Sequence, residues 1–209
     1  MLISSDTSSL EKRLIRANLV NIQDLEPNIR VELKYSTTDN FMKMDMYGDL
    51  SRAYLQPDVA RKLVKAYQLL VQHDKGLTLL VYDAVRPRSV QQMMWDTLKL
   101  PIEEKTQFIS NPKNGSLHNY GAAIDLTLCT LTGETLNMGT NYDHIGELAR
   151  PDLEQKFLAE GKLTDEQVNN RKLLRKVMLE ADFQMIGNEW WHFNSCSREE
   201  AKLKYDMIE

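Results

Sequence analysis

Between Pro57 and His73 the apolar side chains Val59, Leu63, Val64, Tyr67, Leu70 and Val71 recur three and four residues apart, which predicts an amphipathic helix opened by a proline and closed before Gly76. Leu77 to Val81 is short and continuously apolar, the pattern of a buried strand. Arg86-Pro87-Arg88 then leads into a helix through Gln91, Met94 and Trp95, and Pro101 is placed to start another. Asn111 to Gly115 has the composition of a turn, so His118 in the following Ser116–Gly121 stretch is expected on a loop. From Ala123 to Leu128 the alternation puts Ile124, Leu126 and Leu128 on one face of a strand and Ala123, Asp125 and Thr127 on the other. Thr164 and Gln167 form a capping box ahead of a long helix striped by Leu173, Leu174, Val177, Met178 and Ala181. Gly187-Asn188 is a turn, and the aromatic run Glu189 to Phe193 predicts a strand. The order lacks the regular cadence of a doubly wound sheet, and Leu131 to Glu134 resembles a hairpin link. We therefore expect an α+β fold: a single domain with a central, mainly antiparallel sheet flanked by helices.

Composition narrows the partners. A chain of 209 residues, 42% hydrophobic, supports one core better than two. Its formal charge of −4, without a long basic run, gives no electrostatic reason to expect nucleic acid. No apolar stretch approaches the roughly 18–20 residues that span a bilayer, so a soluble protein without a membrane span is expected. Cys129 and Cys196 have no CxxC spacing and pair only if the fold brings them together. Residues 1–20 read as an extension, a flexible lead-in to a domain over 21–209. The stretch before Ala17 lacks an apolar signal core, which points to the cytoplasm, or to the periplasm if a signal peptide has been removed. The sequence fixes no oligomeric state.

The histidines carry the chemistry. Four occur, at positions 73, 118, 144 and 192. A catalytic zinc generally takes three ligands from histidine and acidic side chains and keeps a further position for water. His118, Asp125 and His192 supply such a set, provided that the chain turns back at Gly121, where a missing Cβ permits an unusual backbone. Glu189, three residues before His192, is then the candidate general base and acid. On a regular strand residues three apart face opposite ways, so a bulge or a strand start near Glu189 is required. Arg86, beyond a strand end and fixed by Pro87, is a candidate for holding an oxyanion, or alternatively a salt-bridge partner of Asp83. His144 competes as a ligand but is expected outside the ligand set or at the surface, and His73 reads as a cation near a helix end. Trp190 and Trp191 are expected to pack in the core or line a pocket.

The pattern Ser116-x-His118-x-x-Gly121-x-Ala123-x-Asp125, followed by Glu189-x-Trp191-His192, resembles the paired signature of the D-alanyl-D-alanine metallopeptidases. Lys34–Phe41, Tyr82–Pro87, Ile124–Leu128 and Met138–Asp143 further resemble the dipeptidase branch that includes the vancomycin-resistance enzymes, and the likeness runs from about residue 21 to 193. The resemblance implies one zinc ion per subunit on His118, Asp125 and His192, with Glu189 as base and Arg86 on the attacked carbonyl oxygen. It also implies that Tyr35, Ser116 and Asp143 contact a small D-amino-acid dipeptide. Leu117 departs from the branch, where a small polar residue often precedes the metal histidine. The implied reaction is hydrolysis of D-alanyl-D-alanine. A D,D-carboxypeptidase or endopeptidase acting on peptidoglycan stems, and a zinc domain without turnover, are the alternatives.

Overall fold

The computed structural model describes residues 8–106 and 109–209. In chain order the helices are α1 (Ser9–Arg16), α2 (Ile22–Leu25), α3 (Pro57–His73), α4 (Arg88–Thr97), α5 (Ile102–Lys105), α6 (Glu154–Ala159), α7 (Asp165–Glu180) and α8 (Arg198–Lys204). The strands are β1 (Val20–Asn21), β2 (Arg30–Val31), β3 (Tyr54–Leu55), β4 (Leu77–Asp83), β5 (Ala123–Thr130), β6 (Gln184–Met185) and β7 (His192–Asn194). β1 and β3 form a small antiparallel pair, and the main sheet runs β2-β4-β5-β7-β6. Only β2–β4 is parallel within that sheet. The expected α+β architecture is what the chain adopts.

One face of the sheet is greasy for the reason the alternation predicted. Leu79 and Val81 from β4, Ile124, Leu126 and Leu128 from β5, and Phe193 from β7 are buried in one cluster with Leu63 and Leu70 of α3 and Leu174, Val177 and Met178 of α7. The two long helices thus cover this face, and α7 begins at the capping box of Thr164 and Gln167.

The opposite face carries the polar row, and a bulge decides which residues join it. From Val81↔Leu126 the pairing moves to Asp83↔Asp125, two residues on β4 for one on β5. Without that extra residue Tyr82 would oppose Asp125, and Asp83 would turn toward the core. β7 continues the row by setting His192 opposite Asp125. Asp83, Asp125 and His192 therefore line up across three adjacent strands.

Three expectations need correction. The Glu189–Phe193 strand is shorter than its aromatic content suggested: β7 starts at His192, and residues 189–191 approach it irregularly. Leu131–Glu134 turns the chain back only to a single bridge, Cys129↔Thr135, and the strands that flank β5 in the sheet are β4 and the distant β7. The amino-terminal lead-in, expected to be flexible, is helical from Ser9, with Leu10 and Leu14 buried and Glu11 accepting a hydrogen bond from Tyr54 Oη at 2.7 Å. Residues 1–7 of that segment lie outside the described residues. Cys129 and Cys196 are both free thiols. Among the described residues no helix is long and apolar enough to cross a membrane.

Candidate metal centre and its pocket

Gly121 does what the sequence required. At φ +62° it ends a short 3-10 turn, Leu117–Tyr120, and sends the chain directly into β5. A Cβ there would lie 3.1 Å from Leu19 Cδ2 and 3.3 Å from the Gln56 backbone nitrogen, so both conformation and space favour glycine. His118, on this turn rather than on an open loop, is brought over the polar end of β5. Its Nε2 lies 3.4 Å from Asp125 Oδ1 and 3.2 Å from His192 Nδ1, and His192 Nδ1 lies 2.9 Å from Asp125 Oδ1. One donor atom from each residue lies within 4.8 Å of the others, so the three could hold a metal ion.

The outer nitrogens of the two rings test that fit. His118 Nδ1 is 2.6 Å from the Ala84 carbonyl, which can only accept, so this nitrogen carries the proton and Nε2 presents a lone pair. His192 Nε2 is 2.8 Å from Asn194 Oδ1, and the amide oxygen likewise leaves Nδ1 as the lone-pair nitrogen of the neutral ring. Both lone pairs converge on a carboxylate oxygen, the arrangement by which outer partners orient metal-binding imidazoles. Two ring lone pairs and a carboxylate so close together hold a proton strongly. Burial disfavours the charged form of His192, yet the hydrogen bond and charge of Asp125 raise its pKa to about 9. Burial also works against ionisation of Asp125, but His118 and His192 hold its carboxyl far below the usual range.

The remaining partners of Asp125 were not legible beforehand. Its Oδ2 accepts from Tyr142 Oη at 2.9 Å, leaving Oδ1 for the ring nitrogens. Asp83, fully buried, accepts from Tyr47 Oη at 2.6 Å and from Arg86 Nε and Nη2 at 3.0 and 2.5 Å. Arg86 is thus both the salt-bridge partner of Asp83 and a wall of the pocket. Burial alone would lower its pKa, but Asp83 more than offsets this and keeps it charged. Asp83 and Tyr142 lie inside segments the resemblance had marked, and Asn194 follows His192 by the strand period of two, a signal that could have found it.

Glu189 is half-buried, with Oε2 3.9 Å from His192 Nδ1. Because β7 starts only at His192, the opposed facing of a regular strand does not apply, and glutamate and histidine reach the same side. Burial raises the Glu189 carboxyl above its ordinary value, and Asp125 adds to the effect against the pull of His192. Asp143 stands in the left-handed region at φ +58° and accepts from Tyr35 Oη at 3.0 Å; burial and the nearby Asp125 push its pKa well up. Ser116 Oγ donates to Gln91 Oε1 at 2.8 Å.

All eight sequence-derived candidates, Tyr35, Arg86, Ser116, His118, Asp125, Asp143, Glu189 and His192, line one cavity of about 290 Å³. Trp191 lines it too, whereas Trp190 faces a larger outer groove and donates to Thr140 Oγ1 at 2.7 Å. His144 is exposed outside the cluster, and His73 sits exposed in the last turn of α3.

Lone pairs aimed at one point, with a further carboxylate within reach of it, suit a metal ion acting on water, and the class this defines is the metallohydrolase. Comparison with known proteins specifies it further. The chain belongs to the D-ala-D-ala dipeptidase family of metallopeptidases, whose family model matches residues 16–207. It is 32% identical over 175 residues to a D-alanyl-D-alanine dipeptidase of Escherichia coli (strain K12), covering 84% of this chain and 83% of that protein. It is 29% identical over 187 residues to one from Enterococcus faecium, covering 82% and 88%, and 27% identical over 186 residues to one from Streptomyces coelicolor, with the same coverage.

Proposed function

We propose that the protein hydrolyses the free dipeptide D-alanyl-D-alanine with one zinc ion held by His118, Asp125 and His192. The observation that carries this reading is the convergence of His118 Nε2, Asp125 Oδ1 and His192 Nδ1 beside Glu189, in a chain whose relatives bear the dipeptidase name. Two imidazoles and a carboxylate are a donor set suited to zinc, which when bound supplies a Lewis acid that makes water a nucleophile near neutral pH.

The chain's own residues then divide the work. Glu189 takes the proton of the attacking water and returns it to the departing amine, a role its half-buried position favours by keeping its carboxyl more basic than usual. Arg86, locked against Asp83, offers the growing oxyanion a charge that needs no reorganisation. Asp143, with Tyr35, receives the substrate ammonium, and Ser116 lies on the cavity wall to contact the dipeptide. At about 290 Å³ the cavity sits at the lower edge of the roughly 300–1,000 Å³ typical of small-molecule sites, which favours a dipeptide over a longer stem.

The test is release of D-alanine from D-Ala-D-Ala by zinc-loaded protein, with Glu189→Ala as control. Release by the wild type that is lost in the variant supports the reading. Zinc binding without release from any D-Ala-D-Ala-terminated substrate would instead leave an endopeptidase or a metal domain without turnover.

A further inference from the structure

Arg171 is an expensive residue for its place. It lies in the middle of α7 with a side chain wholly removed from solvent, where an apolar side chain would avoid the desolvation of a guanidinium. Burial lowers its pKa to about 10, against the opposing pull of Glu154, so it is still charged at neutral pH. Nη1 is 3.7 Å from Glu154 Oε1 and finds no hydrogen-bond partner among the described residues, and the guanidinium lies 5.8 Å from the Trp190 ring centroid.

What the guanidinium does hold is a loop. Nε donates to the Met138 carbonyl at 2.6 Å and Nη2 to the Leu148 carbonyl at 3.1 Å, so one planar fork gathers two backbone points ten residues apart. Between them lie Thr140, which Trp190 holds through its Nε1, Tyr142, which bonds Asp125, and Asp143, which bonds Tyr35. α7 adds Asn170 Nδ2 to the Asn137 carbonyl at 2.9 Å and Gln167 Nε2 to Asn137 Oδ1 at 3.2 Å, both at the first end of the loop. Leu163, just ahead of α7, and Gln167 press on Gly139 so closely that an added Cβ would lie 2.4 Å from Leu163 Cδ2. Asp143 itself occupies a backbone region that a non-glycine residue keeps only when its surroundings hold it there.

We infer that Arg171 is a positioning residue for substrate recognition: by clamping both ends of the 138–148 loop it fixes Asp143 where the substrate ammonium arrives. The inference rests on the proposed role of Asp143, and it assigns the specificity for a free amino terminus partly to a buried side chain on α7 that does not line the catalytic cavity. Lysine keeps the charge but not the fork, and methionine keeps much of the apolar stem but neither.

The experiment compares kcat and KM of zinc-loaded wild type, Arg171→Lys, Arg171→Met and Asp143→Asn on D-Ala-D-Ala and on its N-acetylated form. A loss of folded protein lowers both substrates together, whereas a displaced Asp143 lowers the preference for the free amine. The expected result is a fall of about 10-fold or more in that preference for Arg171→Met, carried mostly by KM for the free dipeptide, with a smaller fall for Arg171→Lys. If Arg171→Met does not fold, Arg171→Lys carries the comparison. A preference that collapses in Asp143→Asn but is unchanged in the Arg171 variants overturns the clamp alone. A preference unchanged in Asp143→Asn overturns the role of Asp143, and the clamp with it.

Discussion

His192 stands directly opposite Asp125 across β7 and β5, and its far nitrogen faces Asn194, two residues along the same strand, at 2.8 Å. Asn194 thereby fixes which nitrogen of His192 is left to face His118 and Asp125. Loss of such an outer partner commonly costs about 10–100-fold in metal affinity. Asn194→Ala is expected to bind zinc more weakly within that range while melting close to wild type without metal. Zinc competition against a chelator measures it, and an unchanged affinity would mean that the ring is oriented by other contacts.

Tyr142 acts on the other side of the same carboxylate. Its hydroxyl donates to Asp125 Oδ2, and Tyr142→Phe leaves a buried carboxylate oxygen short of a hydrogen bond of the charged kind, worth about 1.5–3 kcal/mol. We expect zinc affinity and turnover to fall together by about 10-fold or more, since both depend on how Oδ1 is aimed. A variant that loses turnover at unchanged affinity would place the role of Tyr142 with the substrate instead.

The amino-terminal helix is part of the packed structure. Leu14 is fully buried, and truncating a buried leucine to alanine typically costs about 2–5 kcal/mol. Thermal melts of Leu14→Ala are expected to show a loss in that range. A melt indistinguishable from wild type would return this segment to the status of a dispensable extension.

Asp58 ties α3 to α8, accepting from Lys204 and from Tyr205 Oη at 2.7 Å. Burial alone would raise its carboxyl, but these two partners take it below its ordinary value. A carboxyl depressed in the folded state stabilises above its unfolded pKa of about 3.9, and that contribution disappears as pH falls through the folded value. The melting gap between wild type and Asp58→Asn is therefore expected to be wider at pH 7 than at pH 3. Equal gaps at the two pH values would contradict the assignment.

Much of this was legible because it is local. The periodicity of residues 57–73, the capping box before α7 and the alternation through Asp125 each depend on near neighbours, and each matches the element found. The candidate ligands were legible because two histidines and an aspartate stand in tightly spaced motifs around Gly121 and Trp191. What escaped was set by pairing over distance. The bulge that rotates Asp83 into the polar row depends on register with β5, and the anchoring of Trp190 on Thr140, where an aromatic run suggested strand, depends on a loop fifty residues earlier. Arg171 resembled any polar position of an amphipathic helix until the carbonyls of Met138 and Leu148 were seen to meet on it. The turn at residues 131–134 misled because a hairpin signal specifies a reversal, not the strand that pairs.

The most direct test of the account is the ratio of kcat/KM for free D-Ala-D-Ala to that for N-acetyl-D-Ala-D-Ala and for a longer peptide ending in the same two residues, measured on zinc-loaded protein. A cavity of about 290 Å³ lined by the hydrogen-bonded pair Asp143 and Tyr35 predicts turnover of the free dipeptide far above the other two. Faster release of D-alanine from the blocked or longer substrates would contradict it and assign the site to a carboxypeptidase.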